Sequence, residues 1–93
     1  MQDNNKQYEV FKVSAASSVN AVAGALAGAI RQHGRAELQT IGAGALNQAV
    51  KAVAVARGYL APSGYNLVCV PAFYDVTVDG ETKTALKLLV MEC

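Results

Sequence analysis

Tryptophan is absent from this 93-residue chain, histidine occurs once, and cysteine and proline occur only twice each. A single histidine, His33, has no second ligand type near it, so a Cys/His metal site has nothing to build on. The same scarcity removes the base that a serine or cysteine nucleophile would need. The acids are scattered, which leaves no carboxylate pair for glycoside chemistry. No metal, no cofactor and no catalytic activity are therefore expected. Cys69 and Cys93 make no disulfide framework. Cys69 sits in an apolar run and reads as a buried free thiol, Cys93 as a mobile last residue, and free thiols suit a reducing cytosol. The greasiest stretch, residues 19–30, is rich in alanine and glycine and too short to span a bilayer. The opening MQDNNKQ is polar and unlike a leader peptide, so a soluble cytoplasmic protein is expected.

Charge is also scarce, at 16% of residues against 53% hydrophobic. One small core cannot hide that much apolar surface. Some of it should meet a partner chain, and a homodimer is the simplest arrangement. The few charges are unevenly placed. Residues 10–74 carry Lys12, Arg31, Arg35, Lys51 and Arg57 against a single acid, Glu37, a net of +4, while residues 75–93 sum to −2. A mildly basic body with an acidic hairpin suits an anionic partner, and equally a sparsely charged solvated surface.

Residues 1–7 read as a disordered lead-in and 8–93 as one domain. Tyr8 to Val13 alternates as a strand, with Phe11 and Val13 on one face. Ser17 or Ser18 can cap a helix whose apolar positions are Val19, Val22, Ala23, Leu26, Ala27 and Ile30, stopped by Gly34. His33 fits the negative end of that helix. Gly24 and Gly28, four apart beside Ala21 and Ala25, point to close backbone approach by the sheet or by a second chain. A second strand over 36–41 leads into a helix with Leu46, Ala49, Val50, Val53 and Ala54 inward, ended by Gly58. Val55 falls on the Asn47–Lys51 flank, away from that stripe. After a turn at 62–64, Leu67 to Val70 reads as a central strand buried on both faces, with Pro71 as a bulge or bend. The hairpin around Asp79-Gly80 admits two registers. A three-residue turn through Glu81 keeps Tyr74, Val76, Thr84, Leu86 and Leu88 on one face and is preferred. Stacking platforms for bases have little support, because core or hinge packing accounts for most of Tyr8, Phe11, Tyr59, Tyr65, Phe73 and Tyr74.

The order β-α-β-α-β-β predicts an α+β sandwich: a mixed four-stranded sheet with two helices on one face. The first two strands, joined through a helix, should run parallel with a right-handed crossover. Both helix starts then emerge at one edge of the sheet. Ser14, Ser17 and Ser18 would meet Gly42, Ala43 and Gly44 there, and exposed helix-start N–H groups bind anions such as phosphate. Asn47 and Lys51, one turn apart on the second helix, and Lys12 could join them, with Lys83 and Lys87 adding contacts from the hairpin. The bland alternative is a tight glycine turn, a capping asparagine and a solvated lysine. The glycine turn is not a phosphate-binding nucleotide loop, because no Gly-Lys-Ser/Thr follows.

The stretches Phe11-Lys-Val-Ser14, Val22-Ala-Gly-Ala-Leu-Ala-Gly28, Ile41-Gly-Ala-Gly-Ala-Leu-Asn-Gln-Ala-Val-Lys51, Ala56-Arg-Gly58, Ala61-Pro-Ser-Gly64 and Val70-Pro-Ala-Phe73 closely resemble the bacterial stage V sporulation protein S family. That family looks Alba-like, with the same element order and a tendency to dimerise. The resemblance implies a small regulatory protein linked to sporulation and septation that contacts DNA or RNA without catalysis. Carried over, its nucleic-acid contacts fall on Lys12, Ser14 and Ser17, on Gly42, Gly44, Asn47 and Lys51, and on Lys83. Two positions depart from the pattern. Ala16 stands where a lysine is expected and Val19 where proline is usual, and the missing cation removes one phosphate contact. The competing readings are a protein-interaction or self-assembly module and a binder of small anions or nucleotides.

Overall fold

In a computed structural model, residues 8–93 are described, and the expected lead-in over 1–7 lies outside them. The elements are β1 (Glu9–Val13), α1 (Val19–His33), β2 (Arg35–Thr40), α2 (Ala43–Leu60), a 3-10 turn (Ala61–Ser63), β3 (Leu67–Val78) and β4 (Glu81–Glu92). They form a mixed four-stranded sheet of order β1-β2-β4-β3, with β1 and β2 parallel and both other pairings antiparallel. Fold class and element order are those expected.

α1 starts where Ser18 Oγ accepts the Ala21 N–H at 3.2 Å and stops where the Gly34 N–H donates to Ile30 O at 2.8 Å. Its inward stripe, Ala23, Leu26, Ala27 and Ile30, matches the apolar periodicity and is buried. The strands turn Val13, Ala36, Leu38, Leu67, Leu88 and Val90 toward the helices, and these close one core. Gly24 and Gly28 make no close approach among the described residues: a Cβ on either would meet none of their atoms within 4 Å outside the helix's own backbone. The sheet is therefore not what they accommodate.

α2 differs from its expected face. Leu46, Ala49 and Val53 do turn toward the core, but Val50 is 49% exposed and Ala54 is exposed as well. The buried stripe is Ala45, Ala49, Ala52, Val53, Ala56 and Leu60, and Val55 packs half-buried against the core rather than away from it. The reason is steric: α2 lies against α1, where small side chains allow close packing, so alanines rather than the larger Val50 take the inner face. Gly58 does not end the helix, which continues to Leu60. Burying the Leu60 side chain contributes about 2 kcal/mol, more than the roughly 1 kcal/mol that a mid-helix glycine costs.

β4, not β3, occupies the centre, and this overturns the reading of residues 67–70. β3 is an edge strand, Val70 is 48% exposed, and Cys69 is an exposed rather than buried thiol. Pro71 makes no bulge. Its register with Leu88 is continuous, as an edge strand permits because one row of its backbone groups has no strand partner. The hairpin takes the two-residue turn. Val78 pairs with Glu81 and Val76 with Lys83, so Tyr74 and Val76 share a face with Ala85 and Lys83, opposite Thr84, Leu86 and Leu88. Asp79 (φ 51°) and Gly80 (φ 80°) both adopt positive φ, the mirror-image turn whose twist matches that of the strands it joins. Turn chirality outweighed the facial segregation of apolar residues. Tyr59 and Phe73 are not accounted for by packing, at 46% and 75% exposed.

The sheet face without helices carries Val10, Lys12, Glu37, Gln39, Ala85, Lys87 and Leu89 by register. Glu37 is only 2% exposed there, yet its carboxylate is served: Gln39 Nε2 donates at 2.7 Å and Lys87 Nζ lies at 3.8 Å.

The rotated face of α2 separates two valines in one helix. Val53→Ala should cost about 2 kcal/mol in urea unfolding, whereas Val50→Ala should stay within about 0.5 kcal/mol. Equal costs would contradict this packing.

Candidate anion-binding ledge

The parallel register sets Val13 opposite Thr40, so β1 and β2 end together. The chain leaves each strand at the same sheet edge and turns back into a helix. Two contacts join the resulting turns. Gln48 Nε2, from the second turn of α2, donates to Ser17 O at 3.0 Å. A Cβ on Gly44 would come 3.0 Å from Ala15 Cβ, so glycine at this position suits the close approach of the first turn. The expected meeting of residues 14–18 with 42–44 therefore occurs.

The two helix starts differ in what they leave free. In the first turn, Ser14 and Ser17 serve their own loop. Ser17 Oγ accepts the Ser14 N–H at 2.9 Å, Ser14 Oγ accepts the Ala16 N–H at 3.2 Å, and the two hydroxyls lie 3.3 Å apart. Ser18 caps α1. At α2 the capping position is Gly42, with φ 92° and no side chain to offer. Its carbonyl accepts the Leu46 N–H at 3.1 Å, which leaves the earlier N–H groups, at Ala43, Gly44 and Ala45, without that partner. Neither helix has an acid in its first turn. The positive end of the α2 dipole is thus uncapped and unopposed.

Lys12, near the end of β1 and opposite Gln39, is exposed, as are Asn47 and Lys51 on α2. Lys12 and Lys51 make no ion pair among the described residues. The remaining cations of the basic body are elsewhere. Arg31 and Arg35 flank the end of α1 and the start of β2, at the opposite edge, where Arg35 lies over the Tyr8 ring at 4.6 Å. Arg57 donates to Leu67 O and, at 3.3 Å, to Asn66 Oδ1. The ledge is therefore mildly cationic.

The hairpin projects past the same edge. Thr40, the last residue of β2, pairs with Leu86, so residues 74–85 extend beyond β2. Thr40 Oγ1 donates to Leu86 O at 2.7 Å, and Tyr74 OH donates to Thr40 O at 3.3 Å. Burial, then the nearby Glu37 carboxylate, push the Tyr74 phenol above its ordinary value of 10.0, which keeps it protonated as a donor. Lys83 is exposed on the projecting part, in a strand that also carries Glu81 beyond an Asp79 turn. Lys87 lies nearer the sheet centre and is engaged by Glu37. Gln48, Ala15 and Tyr74, which tie the parts together, were not singled out from sequence. Their roles depend on contacts between residues more than 25 positions apart, which periodicity does not register.

Among the described residues no cluster of three or more His, Cys, Asp or Glu side chains could hold a metal, and no helix is long and apolar enough to cross a membrane.

A small α+β protein with two parallel strand–helix units and a projecting hairpin is thus defined by its backbone. The family model described as Stage V sporulation protein S (SpoVS) matches residues 9–93. The chain belongs to that family, which makes it a small sporulation-related protein.

The close approach at Gly44 can be measured by coupling. Gly44→Ala should gain little or lose stability in the native background, yet gain up to about 1 kcal/mol of helix propensity when Ala15 is also changed to Gly. Additive thermal shifts in the two backgrounds would refute the contact.

Proposed function

We propose that this chain is a non-catalytic regulatory protein that meets the phosphates of a nucleic acid, DNA or RNA, through the ledge formed by its two helix starts. One observation carries the reading: an uncapped, acid-free helix start on α2, tied to the first turn by the Gln48–Ser17 hydrogen bond. Backbone N–H groups at such a start accept phosphate oxygens without reading sequence, and Lys12 and Lys51 supply flanking charge. Ser14 and Ser17 act in this reading by shaping the first turn, since their hydroxyls already bond within it. Gly42 and Gly44 let the backbone approach, and Asn47 offers an amide one turn below Lys51. Lys83 reaches the same edge from the hairpin, where neighbouring Glu81 and Asp79 make it the weakest of the cationic contributors. With few cations and alanine at position 16, binding is expected to be weak and strongly salt-dependent.

A second reading concerns assembly and is compatible with the first. Phe73, on the helix-bearing side of edge strand β3, is 75% exposed, and Val50 on α2 is 49% exposed. Large apolar side chains left in water favour a second copy of the chain, and a homodimer would present two ledges.

Fluorescence anisotropy with labelled DNA and RNA tests the first reading. Binding is expected at low salt, and Lys51→Ala should weaken it across sequences and lower the slope of log affinity against log salt by about 1. Absence of binding to both polymers at low salt would overturn the reading. Light scattering tests the second. A dimeric mass at micromolar concentration is expected, lost in Phe73→Glu, and a monomeric native chain would contradict it.

A further inference from the structure

Beside the ledge, on the helix-free side of the sheet, lies a cavity of about 310 Å³. Its wall combines four polar side chains, Lys12, Ser14, Gln39 and Tyr74, with apolar surface from Ala15, Ile41 and Val76. The volume falls at the small end of the range for ligand pockets, and the lining has their usual character: mostly apolar, with a few converging polar groups. Ile41 is 51% exposed, apolar surface held in water just where β2 ends. Gln39 spends its amide on Glu37, donating from Nε2 at 2.7 Å, so its carbonyl oxygen remains to accept a bond. Tyr74 donates its hydroxyl proton to Thr40 O, which leaves the phenol oxygen free to accept. Lys12 brings a cation with no ion-pair partner among the described residues.

We propose that this cavity accepts one unpaired nucleotide, its base against Ile41 and Val76 and its phosphate at Lys12. The polar groups point to that chemistry. Two acceptors, on Gln39 and Tyr74, suit the amino or ring N–H donors of a base edge, and the apolar wall suits its ring. The phosphate sits where the ledge would place it. A base inside a duplex has its edge paired and both faces stacked, so it enters only after flipping out, whereas a single strand offers it directly. The proposal rests on the nucleic-acid reading above and adds to it a preference for single strands. The same chemistry is offered by a free mononucleotide, and the test separates the two sources.

The experiment compares a labelled single strand, the duplex of the same length, and uridine and adenosine monophosphates, each with the native chain, Val76→Trp, Val76→Ala and Ile41→Asp. Val76→Trp fills the cavity, Val76→Ala enlarges it, and Ile41→Asp replaces part of the base's apolar wall with a negative charge without demanding space. Thermal melting checks folding, and Ile41→Asp, at an exposed position, stands in if Val76→Trp fails to fold. The native chain should bind the single strand at least about tenfold tighter than the duplex. Val76→Trp and Ile41→Asp should bring that ratio to about one, and Val76→Ala, which trims the apolar wall without blocking it, should lower it only in part. Equal affinities for both polymers in the native chain would overturn the cavity proposal and leave the ledge reading standing. Binding of a mononucleotide alone, lost in Val76→Trp, would support the cavity and overturn the polymer reading. No binding of any probe would overturn both.

Discussion

The pairing of β1 with β2 in parallel register is the constraint on which the remaining structure depends. Because Val13 and Thr40 stand side by side, both chain segments leave the sheet at one edge and both helices begin there. An antiparallel pairing would have sent one helix start to the far edge and separated the serine turn from the glycine turn. The contacts that lock the arrangement are few and local. Gln48 reaches Ser17 O, and Gly44 makes room for Ala15. The two helices behind them pack through alanine, which keeps their axes close and the two turns in contact.

β4 supplies the second half of the frame. By pairing with β2 on one side and β3 on the other, it carries the hairpin past the edge where the helices start. The Thr40 hydroxyl and the Tyr74 phenol fasten that hairpin to the end of β2. The ledge, the hairpin root and the cavity between them are thus built from segments remote in sequence but fixed by one sheet. The price is an exposed flank. β3 lies at the edge, α2 shows Val50 outward, and Phe73 stands in water.

Much of this was legible from the residues. Strand and helix order, the Ser18 cap, the Gly34 stop and the α1 stripe follow from local chemistry, and the meeting of the two turns follows from the parallel crossover. The misread features were those decided by competition between elements. Whether Leu67 to Val70 lies at the centre or the edge depends on which strand β4 prefers as neighbour, which an apolar run does not encode. The face of α2 depended on α1: alanines are weak signals in a hydrophobicity pattern and strong ones at a close helix contact. The hairpin register turns on the handedness of Asp79-Gly80, a local preference stronger than facial apolarity. At the site, the serine and glycine turns meet, but Lys51 lies two turns into α2 and Lys83 on the projecting hairpin, Ser14 and Ser17 are engaged with each other, and all three arginines of the basic body lie elsewhere.

The central claim is that anions meet this protein at the joined helix starts. Backbone-amide NMR spectra recorded during titration with a short oligonucleotide address it residue by residue. The account predicts that the amides of Ala43, Gly44 and Ala45 move first and furthest, with Lys12 and its neighbours following, while Arg31 to Arg35 at the opposite edge stay in place. Shifts centred on that opposite edge, or spectra unchanged at saturating oligonucleotide, would contradict it.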